Sequence, residues 1–348
     1  MNMTEMQSMT AELLDSFVAD SGPVALHLRQ RMVPVEGEGG VVFPPTYAID
    51  SRYVIDQLSD GTKLAQIDSV GSQANRMEPL FKDRFKGLVP QINIQLENGR
   101  LVSILDAGHR LGDALVRSTR DLSDKARNAF AAFDKEGNAE PMARLAPTSL
   151  VFGAWDSRDS QTKLPRLVNS VIRAWDVDEI RRAATYIPPV DYSELDVFDE
   201  KEKEKAEGDS KNPLAKRGFV HNPADDVGGI VVRGGIYRDV TVNLVALRHL
   251  NSEDTRTLRR YILGLALVAA TDPQDGFLRQ GCLLTPDPDT PAQWQRIDRN
   301  GQRTALNLTP EFAEDYAKAA AGDFGVGQGD TYKFDKKLAK QDVAKKDK

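Results

Sequence analysis

The sequence predicts an α+β chain: a mostly antiparallel sheet with helices on one face. Three observations carry this. A strand near the start alternates strictly between apolar and polar residues. An Asn-Gly pair sits between two short apolar runs. Strand and helix patterns then follow in the order strand, helix, hairpin, helix, strands, charged insertion, strands, helix, strands, which is not a regular βαβα winding.

In chain order, Val24 to Val35 places Leu26, Leu28 and Gln30 on one face and His27, Arg29 and Arg31 on the other. Gly37 to Gly40 reads as a turn; Val41 to Phe43 returns before Pro44-Pro45 stops pairing. Asp68 to Lys86 opens with Ser and Gly at a helix start and continues with Met77, Leu80, Phe81 and Phe85 at helical spacing. Gln91 to Leu96 and Leu101 to Leu105 flank Asn98-Gly99 and read as a hairpin. His109 to Thr119 is read as a helix, Thr148 to Gly153 as a short apolar strand, and Arg166 to Trp175 as an alternating strand. Gly229 to Leu250 supplies two more strand runs. Ser252 is the expected N-cap of a helix to Ala270, and two strands and a short terminal helix close the core. A ferredoxin-like or RNA-recognition-motif core with large insertions satisfies this order.

Two charged segments stand apart. Glu194 to Arg217 carries eight acids and six bases with almost no core-forming residues, and reads as a mobile insertion or exposed helix interrupting one domain over 1–330. Thr331 to Lys348 carries seven lysines and three aspartates and reads as a disordered tail, either solubilising or grazing a polyanion.

The single cysteine, Cys282, rules out an intramolecular disulfide and a thiolate zinc cluster. The four histidines lack metal-binding spacing, and no P-loop, GxSxG elbow or dinucleotide fingerprint occurs. No cofactor is expected. The N-terminus is acidic without a basic leader, and no apolar run approaches the roughly 18–20 residues of a membrane helix, so a cytoplasmic protein without membrane contact is expected. The formal charge of −6 argues by the simplest rule against nucleic acid. That charge is uneven, however: the tail is basic, and arginines cluster beside a predicted helix start.

Small residues opening a helix at Asp68 to Arg76 leave backbone N–H groups aimed outward, with Ser72, Gln73, Asn75 and Arg76 adding hydrogen bonds and charge. This chemistry grips phosphates without reading bases, and equally makes an ordinary capped helix. Arg29 and Arg31 share a sheet face with His27, as a groove for single-stranded nucleic acid requires. In Ala146 to Val177 an apolar run enters Trp155-Asp156-Ser157 and a lysine-bearing loop that reads as a protruding finger or thumb. Trp155 either stacks on a base, worth roughly 1–3 kcal/mol, or is buried. His109-Arg110 either pairs a general base with an anion clamp or simply opens a helix.

The segments LRQRMVPVEGEGGVVFPPTYA, DSVGSQANRMEPLF, HRLGDALVRS, PTSLVFGAWDS with KLPR, and RDVTVNLVALRHL together resemble the Cascade backbone subunit of type I-U CRISPR systems, now called type I-G. That is the Cas-seven group of the RAMP superfamily. The resemblance runs in order from about residue 24 to about 310 and leaves out the charged insertion and the tail. It implies an RNA-recognition-motif-like palm with inserted fingers and a thumb hairpin. Copies would polymerise head to tail on CRISPR RNA, joined by other Cascade subunits, and present the guide to target DNA without cleaving it. Carried onto this chain, the backbone grip falls on Ser72, Gln73, Asn75 and Arg76, with Arg29, Arg31, His109, Arg110, Arg117, Lys163 and Arg166 near the guide. The Trp155 to Lys163 loop and the Arg29/Arg31 strand are the expected two sides of a head-to-tail interface. Type III relatives cut target RNA with a loop aspartate; no equivalent is recognisable here. Two other readings stay open: a metal-dependent phosphoesterase or ribonuclease using Asp156, Asp159 and His109, and a scaffold that binds only protein through the charged insertion.

Overall fold

In the computed structural model, which describes residues 6–344, the first long element is set by its alternation. After β1 (Gln7–Ser8) and α1 (Ala11–Phe17), β2 (Ala25–Pro34) buries Leu26, Leu28 and Met32 and turns His27, Arg29 and Arg31 to the opposite face. β3 (Ile55–Gln57) and β4 (Lys63–Asp68) follow, and β4 runs directly into α2 (Val70–Met77). The helical spacing expected to Lys86 does not continue as one helix: Glu78-Pro79 tightens the chain into a 3-10 turn over Glu78–Phe81. β5 (Ile92–Gln95) and β6 (Leu101–Ser103) form the expected hairpin, with Gly99 at φ +81° in its turn.

The expected helix from His109 to Thr119 is a 3-10 turn followed by α3 (Ala114–Arg117). The long helix begins after it, as α4 (Arg120–Glu136). Leu122, Ala126, Ala129 and Phe130 give α4 its buried stripe, and Gly137 closes it at φ +65°. After α5 (Glu140–Leu145), Thr148 to Gly153 is a helical turn, α6 (Thr148–Phe152), and not the expected strand. Every residue of α6 is buried, so its apolar run has no period to separate helix from strand.

β7 (Val168–Trp175) leads into a two-stranded arm, β8 (Val177–Tyr186) paired with β9 (Asn222–Val232) from Val177↔Val232 to Tyr186↔Asn222. The charged insertion caps this arm. It contains α7 (Glu200–Ala206), with an Asp199/Glu202 capping box, and α8 (Pro213–Lys216). It also has a small core of Ala206, Ala215 and Val220 against Phe198 and Leu214. The insertion thus carries two short helices. β10 (Ile236–Asn243) and α9 (Leu244–Leu247) follow, then α10 (Thr255–Thr271), capped by Asp254 accepting from the Thr257 amide and not by Ser252. β11 (Phe277–Arg279), β12 (Cys282–Pro286), β13 (Trp294–Ile297), β14 (Arg303–Asn307) and α11 (Pro310–Phe324) complete the core.

The segment expected to be a disordered tail is structured as far as it is described. β15 (Asp330–Lys333) adds a parallel strand to β5, and α12 (Lys336–Ala344) follows, anchored by Arg120 to Asp335 at 2.9 Å and Arg158 to Asp342 at 3.0 Å. The last four lysine-rich residues lie outside the described residues.

The four central strands lie in the order β13-β2-β10-β7, each antiparallel to its neighbour. Counted along the chain they are fourth, first, third and second, with α2 between the first pair and α10 between the second. This is the βαββαβ ferredoxin-like arrangement of an RNA-recognition motif. β4 and β3 extend one edge, β14 and β1 the other, and β12 pairs with the end of β2. α2, α6 and α10 pack on the face carrying Leu26, Val240 and Val168. α10, apolar nearly all round, lies between the sheet and α11. Among the described residues no helix is long and apolar enough to cross a membrane.

Candidate nucleic-acid interface

The sheet face away from the helices is polar. Strand register sets His27 opposite Thr241, Arg29 opposite Asp239 and Arg31 opposite Tyr237, with Tyr237 opposite Arg173 on the next strand. The Arg29 guanidinium lies 4.2 Å over the Tyr237 ring centroid and 3.9 Å from Asp239, with its side chain half exposed. Arg173 has no ion-pair partner among the described residues. His27 shares a 3.0 Å hydrogen bond between Nδ1 and Thr241; burial holds its imidazole below the ordinary value, against the pull of Asp239. Arg31 is already engaged: Asp287 accepts from it at 3.0 Å and Glu38 pairs with its other nitrogen. The face therefore offers Arg29 and Arg173 beside an aromatic ring. Tyr237 and Arg173 are not among the expected site residues, although their places in alternating strands are legible.

The α2 end is arranged differently from the expectation. Asp68, 1% exposed, is a hub: Ser72 Oγ donates to it at 2.8 Å, Gln73 Nε2 at 2.7 Å, Arg76 Nε at 3.0 Å and Arg279 at 3.2 Å. Arg76 also donates to the Leu278 carbonyl at 2.8 Å. Gln73 is wholly buried, and its Oε1 accepts from Ser170 at 2.7 Å, so it belongs to the core and not to a surface. Asn75 is exposed. Ser69 caps the helix by accepting from the Ser72 amide, which leaves the first-turn amides of Val70 and Gly71 with no intrahelical acceptor. The Arg166 guanidinium comes to them: both its terminal nitrogens lie 3.9 Å from where a Gly71 Cβ would sit. Burial, and then the nearby Arg110, hold the Arg166 pKa below its usual value. Its guanidinium has no hydrogen-bond partner among the described residues.

Arg110 and Arg117 are interior residues as well. Arg110, at φ +53°, pairs with buried Glu78 at 2.8 Å and donates to the Gly153 carbonyl at 3.1 Å. Burial pushes the Glu78 carboxyl up to about 7 despite that arginine. Arg117, 6% exposed, pairs with Asp156 and donates to Asp159 at 2.8 Å. Asp156 is buried, which alone would raise its pKa. The Ser160 amide, at 3.0 Å, and Arg117 outweigh that and hold the carboxyl low. These contacts fix the base of the loop, while Trp155 stays 49% exposed with the Lys163 ammonium 4.7 Å over its ring. Gly112 is required there, since a Cβ would meet the Trp155 carbonyl at 2.4 Å.

His109 is exposed at a 3-10 start, while Asp156 and Asp159 are claimed by Arg117. Among the described residues no group of three His, Cys, Asp or Glu side chains is placed to hold a metal ion. Of the twelve expected residues, Arg29, Asn75, His109, Trp155, Lys163 and Arg166 lie at least partly open. Arg31, Ser72 and Arg76 are partly open but tied to the chain's own carboxylates, and Gln73, Arg110 and Arg117 are interior.

No curated protein matches the chain. Residues 26–179 match the family model described as CRISPR-associated protein GSU0053, a span running from β2 through α2 and the Trp155 loop into β8. Through that span, the chain is similar to the CRISPR-associated protein GSU0053 family.

Proposed function

We propose that this chain is a non-catalytic, RNA-binding backbone subunit of a type I-G (I-U) Cascade complex, polymerising head to tail along CRISPR RNA and presenting the guide to target DNA. The observation that carries this reading is the open sheet face, where Arg29 stacks on Tyr237 beside Arg173 on an RNA-recognition-motif core. A subunit that must hold any guide needs phosphate and stacking contacts without base readout, and this face supplies both. The first-turn amides of α2 near Arg166 offer further donors to a phosphate, and exposed Trp155 a second stacking surface. The β8–β9 arm fits the thumb hairpin, and its helical cap supplies a surface for the next copy. Net charge of −6 is compatible with this, because modest grips add along a polymer.

The test is co-expression with the neighbouring complex genes and a CRISPR array, followed by native mass spectrometry. The expected result is several copies on one guide-length RNA, released as salt rises. A chain that stays monomeric beside its guide and partners at low salt overturns the proposal.

A further inference from the structure

Behind the sheet, on the helix side, lies a cavity of about 370 Å³ that the guide-binding reading does not use. This falls at the lower end of the range for small-molecule sites, about 300–1,000 Å³. Its walls include Leu28, Ile172, Leu284 and Trp294, and Arg238 of β10 also lines it. Arg238 is 6% exposed and sits between Gln30 and Ile172 of the adjoining strands. Its Nε donates to Ser170 Oγ at 3.3 Å, and Ser170 in turn donates to Gln73, so the guanidinium is held by one edge. Its Nη2 is buried with no hydrogen-bond partner among the described residues, and so is Nε2 of Gln274, which lines the same cavity. Asp272 is the acid that acts on Arg238, but its carboxylate is already paired with Arg84. Burial accordingly pulls the Arg238 pKa down to about 10. A buried guanidinium without a direct carboxylate partner is strongly disfavoured unless something supplies an acceptor.

We propose that this cavity binds a small organic carboxylate, its oxygens accepting from Arg238 and Gln274 and its apolar body lying against Leu28, Ile172, Leu284 and Trp294. A purely apolar ligand would leave both donors unmet, and a bare inorganic anion would leave the apolar walls unused. The site is separate from the open sheet face and needs no RNA.

The experiment titrates 3-phenylpropionate, hexanoate and the neutral 3-phenylpropanamide into the full chain by calorimetry. Both carboxylates are expected to bind saturably, and the amide at least tenfold more weakly. Arg238→Met should lower carboxylate affinity at least tenfold without lowering the unfolding temperature, because it removes a buried charge that has no direct partner. A guanidinium with a purely structural role would destabilise the fold on removal. Should that variant fail to fold, Ala292→Phe fills the cavity from its wall and is expected to abolish binding with Arg238 intact. Absence of saturable carboxylate binding at millimolar concentration, equal binding of the amide, or undiminished binding to either folded variant overturns the proposal.

Discussion

Arg29 and Arg117 are both expected near the guide, yet the fold uses them in opposite ways. Arg117 lies inside, with Asp156 and Asp159 closed around it. Arg29 lies on the open sheet face over Tyr237, with Asp239 only at the margin of contact. The same division separates Arg110 and Arg76, which answer Glu78 and Asp68, from Arg173 and Arg166, which have no carboxylate partner among the described residues. An arginine available to a phosphate is one that the chain has not already neutralised. Residue type and local motif do not reveal this, because the neutralising acid is often far away in sequence: Asp156 stands 39 residues from Arg117.

The contrast is broken most forcefully at Arg117. Arg117→Ala leaves Asp156 buried without its partner, and chemical denaturation should show a loss of about 3–5 kcal/mol. A loss below about 1 kcal/mol would return Arg117 to the surface and to the guide.

A second interior pair responds to pH. Burial raises Glu78 from 4.5 to about 7, so the folded chain holds this proton to higher pH than the unfolded chain does. The corresponding stability is fully present below about pH 4.5 and is lost as pH rises through about 7, on the order of 3 kcal/mol in all. Unfolding free energies measured from pH 5 to 8 should fall more steeply in the wild type than in Glu78→Gln. Parallel slopes would mean that Arg110 holds the carboxylate ionised throughout.

Much of the fold is legible because its signals are local. Alternation places Arg29 on the face opposite Leu28, and Asn98-Gly99 fixes the hairpin. The strand order matches a ferredoxin-like core despite more than a hundred residues between its first two strands. Thr148–Phe152 reads as a strand but folds as a helical turn, because burial on every side erases periodicity. The helix Arg120–Glu136 escapes a reading by neighbouring elements, although Leu122, Ala126, Ala129 and Phe130 carry a clear stripe. The lysine-rich terminus looks featureless, yet β15 pairs its backbone with β5 and sets Tyr332 into the main core, with Phe334 packed against it. At the site, legibility stops at the arginine partners. Gln73 looks like a helix-start donor for phosphate, and nothing local shows that Asp68 and Ser170 take both ends of its amide.

The smallest effect on stability should accompany a large effect on binding, and it is found on the open face. Arg29→Ala with Arg173→Ala removes one exposed cation–π pair and one unpaired cation, so folding should weaken by less than about 1 kcal/mol. Guide affinity, in contrast, should fall by a similar factor for two unrelated spacer sequences, because phosphate contacts carry no sequence information. The slope of log affinity against log salt should flatten by about 0.7 for each single-strand phosphate that is no longer neutralised. Filter binding across a salt series with both spacers measures affinity and slope together, once denaturation has shown that stability is matched. An unchanged salt slope would move the guide off this face and onto Arg166 at α2. A weakening confined to one spacer would mean that Tyr237 and its two arginines read bases, against the proposed role of a subunit that accepts any guide.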